Sequence, residues 1–286
     1  VSIDFVMRIC ILGSNGQLGR DLVDALASHD LLPLTRKDFD VTDYARATSL
    51  LSEAAPEMIV NLTAYHRVDD CEANPELTYS VNVLSVLNLV RIANALDAKI
   101  VQISTDYVFD GNSTTPYTES SVPCPLSIYG NSRLAGEYLV RTQAARYLLI
   151  RTCGLYGHAG SQGKGGNFVE TMLKKARNHE PIQVVNDQIV TPTATADLAR
   201  QLALLFGTAH EGLFHATNEG SCSWYEFASA IFEIAGLSAN LTPTTSAAYK
   251  TPARRPAYSV LENRRLKDLG LNRMLPWRVA LAEYLG

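Results

Sequence analysis

The 286-residue chain is 47% hydrophobic and carries 25 basic against 29 acidic side chains, a net charge of -4. That balance gives no electrostatic case for nucleic acid, and no apolar run is long enough to span a bilayer, so no membrane association is expected. The length allows one large domain or two unequal ones.

Cys10, Cys71, Cys124, Cys153 and Cys222 are odd in number and scattered, with no C-x-x-C pair. Such spacing suits neither a zinc knuckle nor a dithiol centre, and free thiols in a reducing, cytoplasmic setting are expected. The first ten residues, VSIDFVMRIC, lack the basic start and long apolar core of a secretory leader. The residues before Met7 read as an extension or an alternative start.

In chain order, an apolar run from Arg8 to Leu12 leads into Gly13-Ser14-Asn15-Gly16-Gln17-Leu18-Gly19. A helical pattern follows, with Leu18, Leu22, Val23, Leu26 and Ala27 on one face. This is a strand, a tight turn and a helix, the context in which three glycines suit a dinucleotide. Gly13 takes the turn, Gly16 leaves room for pyrophosphate, and Gly19 lets helix and strand approach. The helix N-terminus then offers free N–H groups to phosphate.

Leu31-Leu32-Pro33-Leu34 predicts a second strand ending at Thr35-Arg36-Lys37. An Arg at this place accommodates a 2′-phosphate, so Arg36 favours NADPH, with a solvated basic turn as the alternative. Asp40-Val41-Thr42-Asp43 predicts a turn running into an N-cap, either Thr42 or Asp43. Glu57 to Leu62 is a third strand, followed by Thr63-Ala64-Tyr65-His66. In the segment His66 to Glu72, helix capping by Asp69 is expected rather than metal binding, with His66 lining the cleft. A helix from about Glu76 to Ala95 is expected to bury Val81, Leu84, Leu87 and Val90 to Ile92.

Lys99 to Ser104 is a fourth strand, and Arg146 to Arg151 the next. Between them lie a Gly/Ser/Thr/Pro-rich loop, Asp110 to Leu126, and a helix from Ile128 to Leu139 that puts Tyr129 and Arg133 on one face. Beyond Thr152 the alternation loosens. A glycine-rich loop spans Gly154 to Gly166, and an amphipathic stretch runs from Asn167 to Asn178. Short strands are expected at Ile182–Val185 and Leu213–Ala216, and helices at Thr195–Phe206 and Ser223–Ala235. Lys174, Lys175 and Arg177 read as a solvated helix face. The pattern is an α/β, Rossmann-type doubly wound parallel sheet with a smaller C-terminal substrate-binding lobe. Residues 1–152 form the dinucleotide-binding domain. Residues 153–286 are mostly the lobe, interleaved with the end of the sheet.

Ser104-Thr105, Tyr129 and Arg133 are the candidate chemistry. A Tyr hydroxyl can protonate a developing alkoxide, a cation on its helical face favours the phenolate, and the Thr105 hydroxyl can hold a carbonyl oxygen. The set suits ketone reduction by a nicotinamide. The alternative is a core Tyr beside a surface Arg.

The chain resembles the extended short-chain dehydrogenase/reductases, and within them the dTDP-4-dehydrorhamnose reductases. The resemblance lies in the glycine turn, Asp40-Val41-Thr42-Asp43, Ser104 to Gly111, Tyr129 to Glu137 and Arg151 to Gly157. It continues in Val184-Val185-Asn186-Asp187-Gln188 with Pro192-Thr193, and in Arg255-Pro256-Ala257-Tyr258-Ser259-Val260-Leu261. It implies reduction of the C4 ketone of a nucleotide-linked 4-keto-6-deoxy sugar, giving dTDP-L-rhamnose, a cell-envelope precursor. The cofactor implied is NADPH, with NADH as the alternative.

The resemblance makes Thr105, Tyr129 and Arg133 catalytic. It places Gly13, Asn15, Gly16, Gln17, Leu18, Gly19, Arg36, Asp40, Ala64, Tyr65 and Asn82, with Tyr129 and Arg133, around the cofactor. Thr105, Tyr107, Asn167 and Arg255 would face the substrate, Arg255 through a phosphate. Two positions depart from the family: Arg133 stands where Lys is usual, and Gly154 where well-studied relatives carry Trp. Some relatives use Mg2+ at a homodimer interface through glutamates. The first such position is Asp21 here, so Mg2+ is not assigned, and monomer and homodimer both stay open. Nucleotide-sugar dehydratases carry an Asp-Glu pair where this chain has Asp106-Tyr107, which argues against dehydration. An epimerase, or a non-catalytic NADP-binding subunit resembling that of methionine adenosyltransferase, are the other readings.

Overall fold

The computed structural model describes residues 6–159 and 166–286. The first residues of the N-terminal stretch and part of the Gly154–Gly166 loop therefore lie outside the described residues.

Six strands form one sheet: β1 (Arg8–Leu12), β2 (Asp30–Leu34), β3 (Met58–Asn61), β4 (Lys99–Thr105), β5 (Tyr147–Thr152) and β6 (Gly212–His215). Their order is β6-β5-β4-β3-β1-β2, with every pair parallel. Central strands of such a sheet are covered on both faces, so they read as unbroken apolar runs rather than alternation. Ile9, Cys10, Ile11 and Leu12 are accordingly all buried. Pro33, which cannot donate to a ladder, sits in the edge strand β2.

One face of the sheet packs Ile9, Ile11, Val60, Val101 and Ile150 against Leu22, Leu198 and Leu202. The other packs Cys10, Leu12, Ile59 and Ile100 against Leu51, Leu89 and Val90. A third apolar cluster is drawn from residues after 155 and includes Tyr156, Val169, Met172, Phe227, Ile231 and Leu281. The C-terminal half also supplies β6 to the sheet. The helix Thr195–Phe206 packs its Leu198 and Leu202 beside Leu22 of the helix Gln17–Ala25. Strand order reverses between β1 and β3, and a crevice opens there at the carboxyl ends of the strands.

Asp43, one of the two expected caps, caps the helix Tyr44–Ala54, accepting from the Arg46 amide at 3.0 Å. Two other local expectations are corrected. Asp69 is not a cap: Arg67 holds that position in the helix Val68–Ala73, and the Asp69 carboxylate pairs with Arg255. The helix expected at 76–95 contains a π-turn at Ser80–Leu84. A π-turn adds a residue and rotates the helical face, so Leu84 is exposed where burial was expected, while Asn82 turns inward.

Candidate active site

The glycine turn lies at the strand-order reversal. Gly13 has φ +83°, and its amide donates to the Leu34 carbonyl at 2.8 Å, tying the turn to β2. A Cβ on Gly19 would come within 2.7 Å of the Ser14 backbone, so helix and turn approach only because glycine is there. The helix Gln17–Ala25 has Gly16 at its N-cap and no side chain on its first amides. Those amides and the positive end of the helix dipole suit a phosphate. The Gln17 side chain instead accepts from the Gly157 amide at 3.0 Å, linking the turn to the C-terminal half.

A cavity of about 690 Å³ runs from this turn across the carboxyl ends of the strands. Asn15, Gly16, Leu18, Thr35, Arg36, Phe39, Asp40, Ala64 and Tyr65 line one end. Arg36 is paired there with Asp40 at 2.8 Å, its side chain 85% exposed and able to turn toward a ligand. Asp40 also accepts from the amide and hydroxyl of Thr42. Burial pushes the Asp40 carboxyl up, but these donors and Arg36 outweigh it and hold it below its ordinary range.

Ser104, Thr105, Asp106, Tyr107, Tyr129 and Arg133 meet in the middle of the cavity. β4 ends at Thr105, and Ser127 caps the helix Ile128–Gln143, accepting from the Gly130 amide at 3.1 Å; this places Tyr129 in the first turn and Arg133 one turn on. The Thr105 hydroxyl lies beside the Tyr129 phenol and favours its ionised form. The Tyr107 and Tyr129 rings meet edge to face at 5.7 Å. Arg133 donates one Nη2 bond to the Ile103 carbonyl; its Nε and Nη1 are buried with no partner among the described residues. Buried donors of this kind are costly unless a ligand accepts from them.

The sequence reading expects a cation to lower the Tyr129 pKa. Burial in fact pushes the phenol above its ordinary value, and the Arg133 charge and the Thr105 hydroxyl oppose that rise without cancelling it. Asp106 lies beside them: it accepts from the Thr105 hydroxyl at 3.0 Å and the Cys153 thiol at 3.2 Å. Burial holds its carboxyl up, against the hydrogen bonds from Ser259, Cys153 and Thr105.

Two expected wall residues stand behind the wall. Asn82 is buried, accepting from the Tyr65 amide at 2.9 Å and donating to the Tyr65 carbonyl and Ser132 hydroxyl. With both ends of its amide occupied, it holds the Thr63–Tyr65 loop. Arg255 pairs with Asp69 at 2.9 Å and is likewise not in the cavity wall. Asn167 does line the cavity, and it caps the helix Phe168–Arg177 by accepting from the Glu170 amide at 2.9 Å. His66 is in the wall as expected. Gly154 is there too, at φ +56°, a backbone conformation that disfavours any larger side chain. Thr195 donates to Asp21, and among the described residues no group of three or more His, Cys, Asp and Glu side chains gathers around a metal position.

Cys153, Ser259, Gln188, Phe168 and Trp224 also line the cavity, with no site role expected of them from the sequence. The blocks around Asp187-Gln188 and Arg255-Pro256 were the available signal.

A doubly wound sheet with a glycine turn at its reversal, and a Thr-Tyr-cation set beside it, defines a Rossmann-type oxidoreductase of the short-chain dehydrogenase/reductase class. Residues 7–286 match the RmlD substrate binding domain family, and the chain belongs to that family. It is 39% identical over 280 residues to the spore coat polysaccharide biosynthesis protein SpsK of Bacillus subtilis (strain 168), covering 97% of this chain and 96% of that one. It is 38% identical to the dTDP-4-dehydrorhamnose reductase of Streptomyces griseus, over 96% of this chain and 92% of the other. The crystal structure of dTDP-4-dehydrorhamnose reductase from Bacillus anthracis in complex with NADP superposes with a TM-score of 0.93 at 36% identity, covering 98% and 99% of the two chains.

Proposed function

We propose that the protein uses NADPH to reduce the C4 ketone of a dTDP-linked 4-keto-6-deoxy sugar, most directly dTDP-4-dehydro-L-rhamnose. The observation that carries this reading is a single cavity joining the glycine turn to Thr105, Tyr129 and Arg133. Family membership and the NADP held by the Bacillus anthracis relative support it.

The residues present fit the cofactor. Gly13 takes the turn at φ +83° and Gly19 lets the helix approach it, the uncapped amides of the Gln17–Ala25 helix face phosphate, and Arg36 with Asp40 stands at the adenine-ribose end. Arg133 keeps two donors for the nicotinamide ribose hydroxyls. When bound, the nicotinamide supplies the hydride that adds to C4.

Thr105 and Tyr129 hold the substrate carbonyl oxygen. As charge develops on that oxygen, the Tyr129 hydroxyl gives it a proton, leaving an alcohol and a phenolate. The Arg133 guanidinium stabilises that phenolate, and the cycle closes when Tyr129 regains a proton from solvent. Arg keeps the charge that Lys supplies elsewhere in the family, through a planar fork rather than an ammonium. Asp106 accepts the Thr105 proton in the free site, and that proton turns to the carbonyl oxygen when substrate binds, while Asn167 and Tyr107 stand on the substrate side.

The first half of the chain reads as the cofactor-binding part and residues from 153 on as mostly the substrate lobe, with β6 returned to the sheet. No helix of the described residues is long and apolar enough to cross a membrane, and a biosynthetic role in the cytoplasm fits the substrate class.

The test is NADPH oxidation with dTDP-4-dehydro-L-rhamnose by the natural protein, Tyr129→Phe and Arg133→Lys. Turnover that disappears in Tyr129→Phe is expected. No turnover by the natural protein with any dTDP-4-keto-6-deoxy sugar, despite NADPH binding, would move the assignment to the binding-subunit reading.

A further inference from the structure

We propose that residues 255–259 position the catalytic pair: Arg255 acts through Tyr107 on Tyr129, and Ser259 acts through Asp106 on Thr105. The proposal rests on the reductase reading above and gives the two residues that follow Thr105 their anchors in the C-terminal half.

The segment is fixed from several sides. The Ile189 amide donates to the Ala257 carbonyl at 2.8 Å, and the Ser259 amide donates back to the Ile189 carbonyl at 2.9 Å. Opposite, a Cβ on Gly111 would come to 2.6 Å from the Ala257 nitrogen and 2.7 Å from Pro256 Cα, so the chain leaving the catalytic turn presses directly on the segment. Arg255 is anchored by a third element. Its Nη1 and Nη2 donate to the two Asp69 oxygens at 3.3 and 2.9 Å, and Asp69 also accepts from the Ala253 amide at 3.1 Å. A planar guanidinium held by both nitrogens keeps little freedom.

From that anchor Arg255 faces the Tyr107 phenol. Burial and then Asp106 push this phenol up, and the Arg255 charge opposes the rise. Tyr107 in turn touches the machinery twice. Its ring meets that of Tyr129 edge to face, and its amide donates to Thr105 Oγ1 at 3.2 Å. A Cβ on Gly130 would overlap the Tyr107 carbonyl, so the first turn of the Tyr129 helix is seated on Tyr107 itself. Ser259, 1% exposed, reaches the residue between. Its hydroxyl lies against Asp106 and favours the ionised carboxyl, and Asp106 accepts from the Thr105 hydroxyl. A substrate phosphate, the partner expected of Arg255 from the sequence, would have to be reached across a cavity wall that Arg255 does not line.

The test compares the full-length natural protein with Arg255→Met, Tyr107→Phe, their double variant and Ser259→Ala in NADPH-saturated reduction of dTDP-4-dehydro-L-rhamnose. Arg255→Met is expected to lower kcat about 10- to 100-fold with KM little changed, because it displaces Tyr129 and no substrate contact. Tyr107→Phe should also lower kcat, and the double variant should lose no more than Arg255→Met alone, since both changes break one link. Ser259→Ala should lower kcat at an unchanged KM. A raised KM with unchanged kcat in Arg255→Met overturns the proposal, as do losses that multiply in the double variant or an unchanged kcat in Ser259→Ala.

NMR of protein labelled at tyrosine Cζ reads the same link without turnover. The Tyr129 signal, identified by its loss in Tyr129→Phe, should move in Arg255→Met; an unmoved signal overturns the proposal. Should Arg255→Met fail to fold, Arg255→Lys and Asp69→Asn carry the same comparison, because they loosen the anchor but keep a cation beside Tyr107. A natural protein that reduces no keto sugar, with a Tyr129 signal that responds to Arg255, loses the reductase reading and keeps this one. A protein that reduces the sugar with an indifferent Tyr129 signal does the reverse.

Discussion

Arg151 and Glu137 form a bidentate ion pair at 2.6 and 2.9 Å, each side chain 1% exposed. Ser104 donates to the same carboxylate, so the pair binds β4 and β5 to the helix that carries Tyr129 and Arg133. The charges compensate only while both are present. Arg151→Leu is expected to cost ~3–5 kcal/mol, read as a lower urea midpoint. Arg151→Leu with Glu137→Leu should recover part of that loss, because no lone charge is left buried. A double variant no more stable than the single one would show that the pair itself stabilises the fold.

Gly19 is the glycine of the turn with least space. In Gly19→Ala the new methyl meets the Gly13–Ser14 backbone. Relieving that overlap is expected to cost about 1–3 kcal/mol and to shift the amides that face phosphate. Thermal denaturation should show a lower Tm, and the rise in Tm on adding NADPH should largely disappear. An unchanged NADPH response would remove the turn from the cofactor site.

Arg36 is exposed and paired with Asp40. If it meets the 2′-phosphate, Arg36→Ala loses a charge-assisted bond worth roughly 1.5–3 kcal/mol. The ratio of kcat/KM for NADPH over NADH should therefore fall by about tenfold or more. An unchanged ratio would leave Arg36 as a solvated turn residue.

Tyr129 must be protonated to reduce a ketone. Burial sets its pKa above the ordinary value, so turnover should persist through mildly alkaline pH and fall only as pH rises through that pKa. Arg133 works against burial. Removing its charge in Arg133→Met should push the alkaline limb of kcat to still higher pH while lowering kcat itself. A limb moving to lower pH would contradict this electrostatic relation.

His215 makes the fold sensitive to acid. Burial, with Arg151 nearby, lowers its pKa from 6.5 to about 3. The unfolded chain therefore binds a proton that the native state refuses between those values. Stability should be full above pH 6.5 and decline as pH falls toward 3. Unfolding midpoints across this range should show a shallower decline in His215→Gln than in the natural protein.

Much of the architecture was legible because it follows from local pattern. The runs Ile9–Leu12, Met58–Asn61 and Lys99–Thr105 are buried throughout, as central parallel strands covered on both faces are. The Ser127 cap, and the spacing of four between Tyr129 and Arg133, place both side chains on one helical face. The substrate end was less legible. Trp224, Gln188 and Phe168 are tens of residues apart, and only the ladder between residues 189–190 and 222–223 brings them together.

The sequence by itself determined the sheet, the glycine turn at its reversal and the Thr105-Tyr129-Arg133 set, because backbone sterics and helical periodicity act over a few residues. Only the tertiary structure decided that Asn82 and Arg255 stand behind the cavity wall, each already engaged by a partner distant in sequence. It also decided that Tyr129 is raised rather than lowered in pKa. Burial is summed over everything packed around a group, and no spacing along the chain records that sum.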